Sequence, residues 1–515
     1  MDQKFDFRDL FILDMANNHQ GDVEHGLNIV RSFAKVVKDR NARAALKFQF
    51  RQLDTFIHPD HQKNSEHKQV QRFISTRLLR DKYQIFLDEV RAQGMVSICT
   101  PFDEDSVDVI CDMDFDVLKV ASCSGKDWPL LEKIAAAGKP VIFSTGGLTI
   151  RDIDNLVSFF QHRGVHFALM HCIAIYPTPD QHMNLQQIAV LCARYPGIHI
   201  GWSTHETPAD MVPVELAVAL GAELFERHIG IETDKYPLNA YSSTPEQVAE
   251  WIEAKQRAQL LCGPKERQPA SEAEQNAIDG LKRGVYAKGK IRKGSIIERD
   301  QVYFAIPYIE GQLDSGHFKS GTTCLKDFTV NAPIFETQVE LPAIENELVI
   351  KHAVHEVKAL LNKAKIHLGP EFKVEYSHHY GVSNFLETGA VLVECISRDY
   401  CKKLVVQLPG QEHPFHYHEK KEETFQVLYG ELECTVDNHQ RTLVPGESVL
   451  VMPGVWHSFG TKTGVIFEEV SSRDYDNDSF YKDKNINKLA RSERKTVVDH
   501  WGRFQLKPQL EQDHG

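Results

Sequence analysis

The chain has 515 residues, of which 42% are hydrophobic and 25% charged, and its formal net charge is −13. That length suits roughly two to four globular domains, and the acidic balance excludes a general nucleic-acid surface. No apolar run approaches membrane-spanning length, the opening MDQKFDFRDL lacks the pattern of a signal peptide, and the ten cysteines form no CxxC pair, as expected of a cytoplasmic protein with reduced thiols.

In chain order, the first part carries eight short apolar runs: FILDMA, ALKFQF, VSICTPF, VLKVAS, PVIFST, FALMHC, IHIGWST and LFERHI. Segments with helical periodicity separate them. Among these are VEHGLNIVRSFAKVVKDR, RDKYQIFLDEVRAQG and DWPLLEKIAAAGK, the last two closed by Gly94 and Gly138. Eight strands alternating with helices over roughly 250 residues match a (β/α)8 barrel. A doubly wound sheet is the alternative, but no GxGxxG follows the first run.

Polar groups collect where these runs end: Asp14; Lys47 and Gln49; Thr100; Lys119 and Ser122; Ser144; Tyr176; Ser203 and His205; Glu226 and His228. A barrel is packed inside with branched apolar side chains and does its chemistry at the C-terminal rim. Lys47 and Lys119 lie within apolar strands, where a purely structural lysine would be costly. As ligands for a phosphate or carboxylate they make sense. His205 and His228 end successive runs, which a parallel sheet sets side by side. Two imidazoles there suit one divalent metal, the alternative being two unrelated histidines.

After Cys262, GPKERQPASEAEQNAIDG is polar, contains two prolines and reads as a linker. Short strands around KGKIRKGS, from Leu281 to Leu341, predict a small β-rich domain whose basic residues form a solvated face. From Asn346 an amphipathic helix, ELVIKHAVHEVKALLNKAK, precedes many short strands, which predict an all-β barrel or sandwich. The terminal LEQDHG is expected to fray. The expected domains are therefore residues 1–265, 281–341 and 346–515.

In the third part His416 and His418 alternate on a strand, so both imidazoles share one face. Glu423 opens the next strand, and His457 follows the PGVW turn. Three imidazoles and a carboxylate suit a divalent first-row metal such as Zn²⁺, Mn²⁺, Fe²⁺ or Ni²⁺. Surface histidines on a β-barrel are the alternative. The intervening Glu419, Lys420, Lys421 and Glu422 read as a solvated turn. The pattern resembles the cupin family. Its first motif, G-x5-HxH-x4-E-x6-G, is met by Gly410, His416, His418, Glu423 and Gly430, and its second by Gly446, Gly454 and His457. Met452 replaces the usual proline.

The first two parts resemble the sialic acid (nonulosonate) synthase family. ANNHQGD, LKFQ, CTPFD, LKVASCSGKDWPLL, GKPVIFSTGG, HCIAIYPTP, GWSTH and ERHI follow in that family's order. The resemblance implies an α/β fold: a (β/α)8 TIM barrel, a small β-rich SAF (antifreeze-like) domain and then the cupin barrel. It also implies a homodimer in which the SAF domain reaches the partner's active site. His205 and His228 would hold Mn²⁺ or Mg²⁺. Lys47, Thr100, Lys119, Ser122, Ser144 and Ser203 would hold phosphoenolpyruvate. Gln49, Tyr176 and Glu226 would face the sugar and the reacting carbons, and Asp14 stands where the family has a glutamate. The departures lie toward the sugar. The family's SDH motif reads Ser203-Thr204-His205, Ala174 replaces an asparagine, and FAIPYIEGQLDSGHF lacks the arginine that the SAF loop often supplies.

The implied reaction condenses phosphoenolpyruvate with the open-chain aldehyde of a sugar, releasing phosphate and a 3-deoxy-2-ulosonic acid. The fused cupin would isomerise or epimerise that sugar, or only bind it. A non-catalytic carbohydrate-binding scaffold is the competing expectation.

Overall fold

Eight parallel strands close into a barrel in strict sequence order. They are β1 (Leu10–Asp14), β2 (Arg43–Phe50), β3 (Val96–Pro101), β4 (Val117–Val120), β5 (Val141–Ser144), β6 (Phe167–Cys172), β7 (His199–Thr204) and β8 (Leu224–His228). This computed structural model describes residues 4–63, 65–343, 346–475 and 478–501, so the terminal LEQDHG lies outside the described residues. The chain divides into two units, Met1–Pro269 and Ala270–Gly515.

The period of two along each strand builds the barrel in layers. Ile12, Ala45, Ile98, Val117, Ile142 and Leu224 form an apolar plug inside it. Two residues further along the same strands stand Asp14, Lys47, Thr100, Lys119, Ser144 and Glu226, all buried. The opposite faces of the strands supply Leu46, Phe48, Leu118, Phe143, Trp202 and Phe225 to the core shared with the surrounding helices.

Local chemistry sets the helix ends. Asp22 caps Val23–Asp39 by accepting from the backbone N–H groups of Glu24 and His25. Arg80–Ala92 and Trp128–Ala136 are followed by Gly94 and Gly138 at φ 72° and 69°, where a side chain would be strained. Two features were not legible in the hydrophobic pattern. The connection after β2 folds into short helices, Leu53–Phe56 and Lys68–Ser75, with no fully buried residue. The polar linker carries a helix, Glu272–Asp279, capped by Ser271.

In the second unit the small β-rich segment follows that helix. Gly284–Ala287 pairs with Val302–Ala305, and Ile296–Ile297, Thr322–Cys324 and Val339–Glu340 form a second small sheet. Val285, Ile297, Val302, Leu313, Phe328 and Ile334 make its core. The helix Asn346–Lys363 follows, then antiparallel sheets of seven and five strands. No helix among the described residues is long and apolar enough to cross a membrane.

Candidate active site and metal centre

The polar layer of the barrel forms one connected network. Lys47 Nζ lies 3.0 Å from Asp14 Oδ2 and 2.9 Å from Glu226 Oε1. Lys119 Nζ donates to Ser144 Oγ at 2.5 Å and stands 3.7 Å from Glu226 Oε2. Ser203 Oγ donates to Glu226 Oε1 at 3.1 Å. Asp14 also accepts from the Ala16 N–H at 3.0 Å and from Gln49 Nε2 at 3.5 Å. Thr100 Oγ1 is buried beside this network without a hydrogen bond. Ser122 Oγ accepts from the Gly146 N–H at 3.0 Å, across the loops after β4 and β5.

Burial and charge act against each other here. Burial disfavours the Lys47 ammonium, but Asp14 and Glu226 outweigh it and hold its pKa above the ordinary lysine range. Burial pulls Lys119 below that range, with Glu226 opposing. Burial would raise Glu226, but Lys119 and Lys47 bring it down to about 2. Lys47 is paired with Asp14 and Glu226, and Lys119 donates to Ser144 and the Val120 carbonyl, so each buried ammonium keeps about one N–H for a further oxygen acceptor.

The two barrel histidines meet as their strand ends predict. Their ring centroids are 5.4 Å apart. His205 Nδ1 is hydrogen-bonded to the Ile173 carbonyl at 2.9 Å, which fixes the tautomer and leaves Nε2 a free lone pair. His228 Nδ1 is 3.2 Å from Asp14 Oδ2. Burial and the neighbouring His228 bring the His205 pKa down to about 3, and burial also lowers His228. Neutral imidazoles are what a divalent metal needs. Tyr176 is half exposed and covers His205, ring centroids 4.1 Å apart.

The second cluster lies in the seven- and five-stranded sheets. His416 pairs in register with His457 across neighbouring strands, and Glu423 opens the strand Glu423–Gly430. His416, His418 and His457 offer ligand atoms within 4.8 Å of one another, and all three are buried. Each Nδ1 is held by a backbone carbonyl: Pro414 at 3.0 Å, Asp478 at 3.0 Å and Val455 at 3.1 Å. Each Nε2 is thereby turned to the common centre. Glu423 Oε1 and Oε2 lie 3.3 Å from His418 Nε2 and His457 Nε2. His457 Nε2 and Glu423 Oε2 are buried with no hydrogen bond. Converging, unsatisfied donor atoms with locked tautomers fit a divalent cation. A cavity of about 710 Å³ opens beside them, lined also by Lys403, Tyr481, Arg494 and Lys495.

Lys421 departs from its expected place in a solvated turn. It is buried and ion-paired to Glu423, to Glu469 at 3.1 Å and to Asp474 at 3.6 Å. Its only sequence signal is its place two residues before Glu423, on the same face of an extended chain. Burial would lower its pKa, but Glu469 and Glu423 raise it, so the charge stays. In turn Glu423 is held well below the usual carboxylate range against the effect of burial, chiefly by Lys421 and His418.

Comparison with known proteins agrees with both halves. Residues 36–267 match the NeuB family and residues 403–467 match the cupin domain. An uncharacterized protein of Methanocaldococcus jannaschii is 32% identical over 292 residues, covering 56% of this chain and 82% of that protein. The N-acetylneuraminate-9-phosphate synthase of Homo sapiens is 26% identical over 299 residues, covering 56% and 81%. A crystal structure assigned as spore coat polysaccharide biosynthesis protein E of Chromobacterium violaceum is 44% identical with TM-score 0.63. It covers 65% of this chain and 100% of that one. The chain belongs to the NeuB family and carries a C-terminal cupin domain.

Proposed function

We propose that the barrel is a nonulosonate-type synthase, a C–C bond-forming transferase that condenses phosphoenolpyruvate with an open-chain sugar aldehyde. One observation carries this reading: two buried lysines converge on Glu226 beside the paired histidines. The relatives named as synthases of N-acetylneuraminate 9-phosphate and of N,N'-diacetyllegionaminic acid support it.

Lys47 and Lys119 neutralise the phosphate and carboxylate, and Thr100, Ser122, Ser144 and Ser203 supply hydroxyls around them. Mn²⁺ or Mg²⁺ on His205 and His228 supplies Lewis-acid polarisation of the aldehyde when bound. C3 of phosphoenolpyruvate attacks the aldehyde carbon, positive charge develops at C2, water adds there and phosphate leaves. Glu226, ionised between two lysines, and Asp14 stabilise that charge, while Gln49 and Tyr176 flank the sugar. The enzyme works in the cytoplasm as a homodimer, with the small β-rich segment acting as the SAF domain at the partner's site. A panel of aldoses and acylated amino sugars, tested for phosphate release with Mn²⁺, checks the reaction. Release with none of them would leave the scaffold reading.

We propose further that the cupin binds one divalent metal through His416, His418, Glu423 and His457 and isomerises or epimerises a sugar. The cavity of about 710 Å³ is large enough for one. Proton exchange from D₂O into candidate sugars tests turnover. A metal-loaded protein that exchanges none would leave a binding role alone.

A further inference from the structure

The connection after β2 carries five arginines; Arg91 donates to the Met113 and Asp114 carbonyls, and the other four fall into two kinds. Arg77 forms a two-pronged pair with Asp54 at 2.9 and 2.6 Å, and Arg80 lies 3.6 Å from Asp112. Arg51 and Arg72 are different. Among the described residues neither has a carboxylate partner, although both are half-buried.

These two sit closest to the chemistry. Arg72 Nη1 is 3.5 Å from the Tyr241 hydroxyl, and the Tyr241 ring is 5.3 Å from His228 and 5.2 Å from Tyr176. Arg51 donates to Gln49 Oε1 at 3.1 Å, and Gln49 in turn reaches Asp14. The Arg51 guanidinium is clamped between Phe73 at 4.0 Å and Phe102 at 3.6 Å, and its Nε is buried without a partner. Phe73, which Arg51 stacks on, is the residue after Arg72 in the helix Lys68–Ser75. A cavity of about 240 Å³, lined by Asn17, Gln49, Arg51, Phe73, Arg77 and Arg80, opens beside Arg51.

Arginine is matched to planar and tetrahedral oxyanions, and a desolvated guanidinium without a counter-ion gains most from meeting one. Lys47 and Lys119 already serve the phosphoenolpyruvate end of the mouth; Arg51 meets their network at its edge, through Gln49, and Arg72 meets Tyr241. We propose that Arg72 and Arg51 form an oxyanion subsite for the acceptor sugar, which therefore carries a phosphate or carboxylate group away from its aldehyde. This rests on the condensation reading of the barrel.

The test uses the full-length protein loaded with phosphoenolpyruvate and titrated calorimetrically with mannose, mannose 6-phosphate and mannuronate. At least one charged sugar is expected to bind tenfold or more tightly than mannose. Arg72→Ala should abolish that preference and Arg72→Lys should keep part of it. The two charged sugars distinguish phosphate from carboxylate. Equal binding of neutral and charged sugars overturns the proposal, as does a preference that survives Arg72→Ala. So does an Arg72→Ala effect confined to the KM for phosphoenolpyruvate. An Arg72-dependent preference without phosphate release from any acceptor would sink the condensation reading and leave the subsite standing.

Discussion

Lys47 and Glu226 are separated by 179 positions in the chain, yet Lys47 Nζ lies 2.9 Å from Glu226 Oε1. Barrel closure brings them together: β2 and β8 both flank β1, and Asp14 at the end of β1 is in register with Lys47 on one side and His228 on the other. One ammonium therefore neutralises two carboxylates on neighbouring strands. Lys47→Met should leave Asp14 and Glu226 facing each other in a buried site, at a cost of about 3–5 kcal/mol. A lowered melting temperature and a raised KM for phosphoenolpyruvate are expected. A variant with wild-type values of both would refute this role.

His205→Ala and His228→Ala each remove one of the two barrel imidazoles. Tight Mn²⁺ binding at the barrel should be lost, and condensation should fall by on the order of 100-fold or more. Electron paramagnetic resonance of Mn²⁺ titrations, made on a background lacking the cupin histidines, reads the first effect. Normal turnover at limiting Mn²⁺ in either variant would remove the assignment.

His418→Ala takes one Nε2 from the cupin triad, whose ligand atoms lie within 4.8 Å of one another. Metal content should drop by one ion per chain, and barrel condensation of a supplied acceptor should persist. Metal analysis beside the phosphate-release assay separates the sites. Loss of both activities would show that they are coupled.

Gly430, the last glycine of the first cupin motif, has φ 78°, and a Cβ there would fall 2.1 Å from the Gly464 carbonyl oxygen. Gly430→Ala meets both a backbone strain of about 1–3 kcal/mol and a clash that only backbone movement relieves. Calorimetry should show a lower melting temperature. An unchanged one would mean that the turn is more plastic than its geometry implies.

Much of this architecture is written in short-range pattern. Short apolar runs separated by helical patterns specified the eight strands, and the polar residues where those runs end marked the rim from Asp14 to His228, because a strand sends every second side chain to one side. The HxH spacing placed His416 and His418 together for the same reason. What the sequence left open depends on long-range closure. The ion pairs among Lys47, Asp14 and Glu226 need β8 returned to β1. The burial of Lys421 needs Glu469 and Asp474 from distant segments to turn a hydrophilic KKEE turn inward. The helix Lys68–Ser75 has no fully buried residue to announce it, and Arg72 reaches the barrel mouth only because the connection after β2 folds back toward Tyr241. Periodicity determines which face a residue occupies; only chain closure determines which charges must share it.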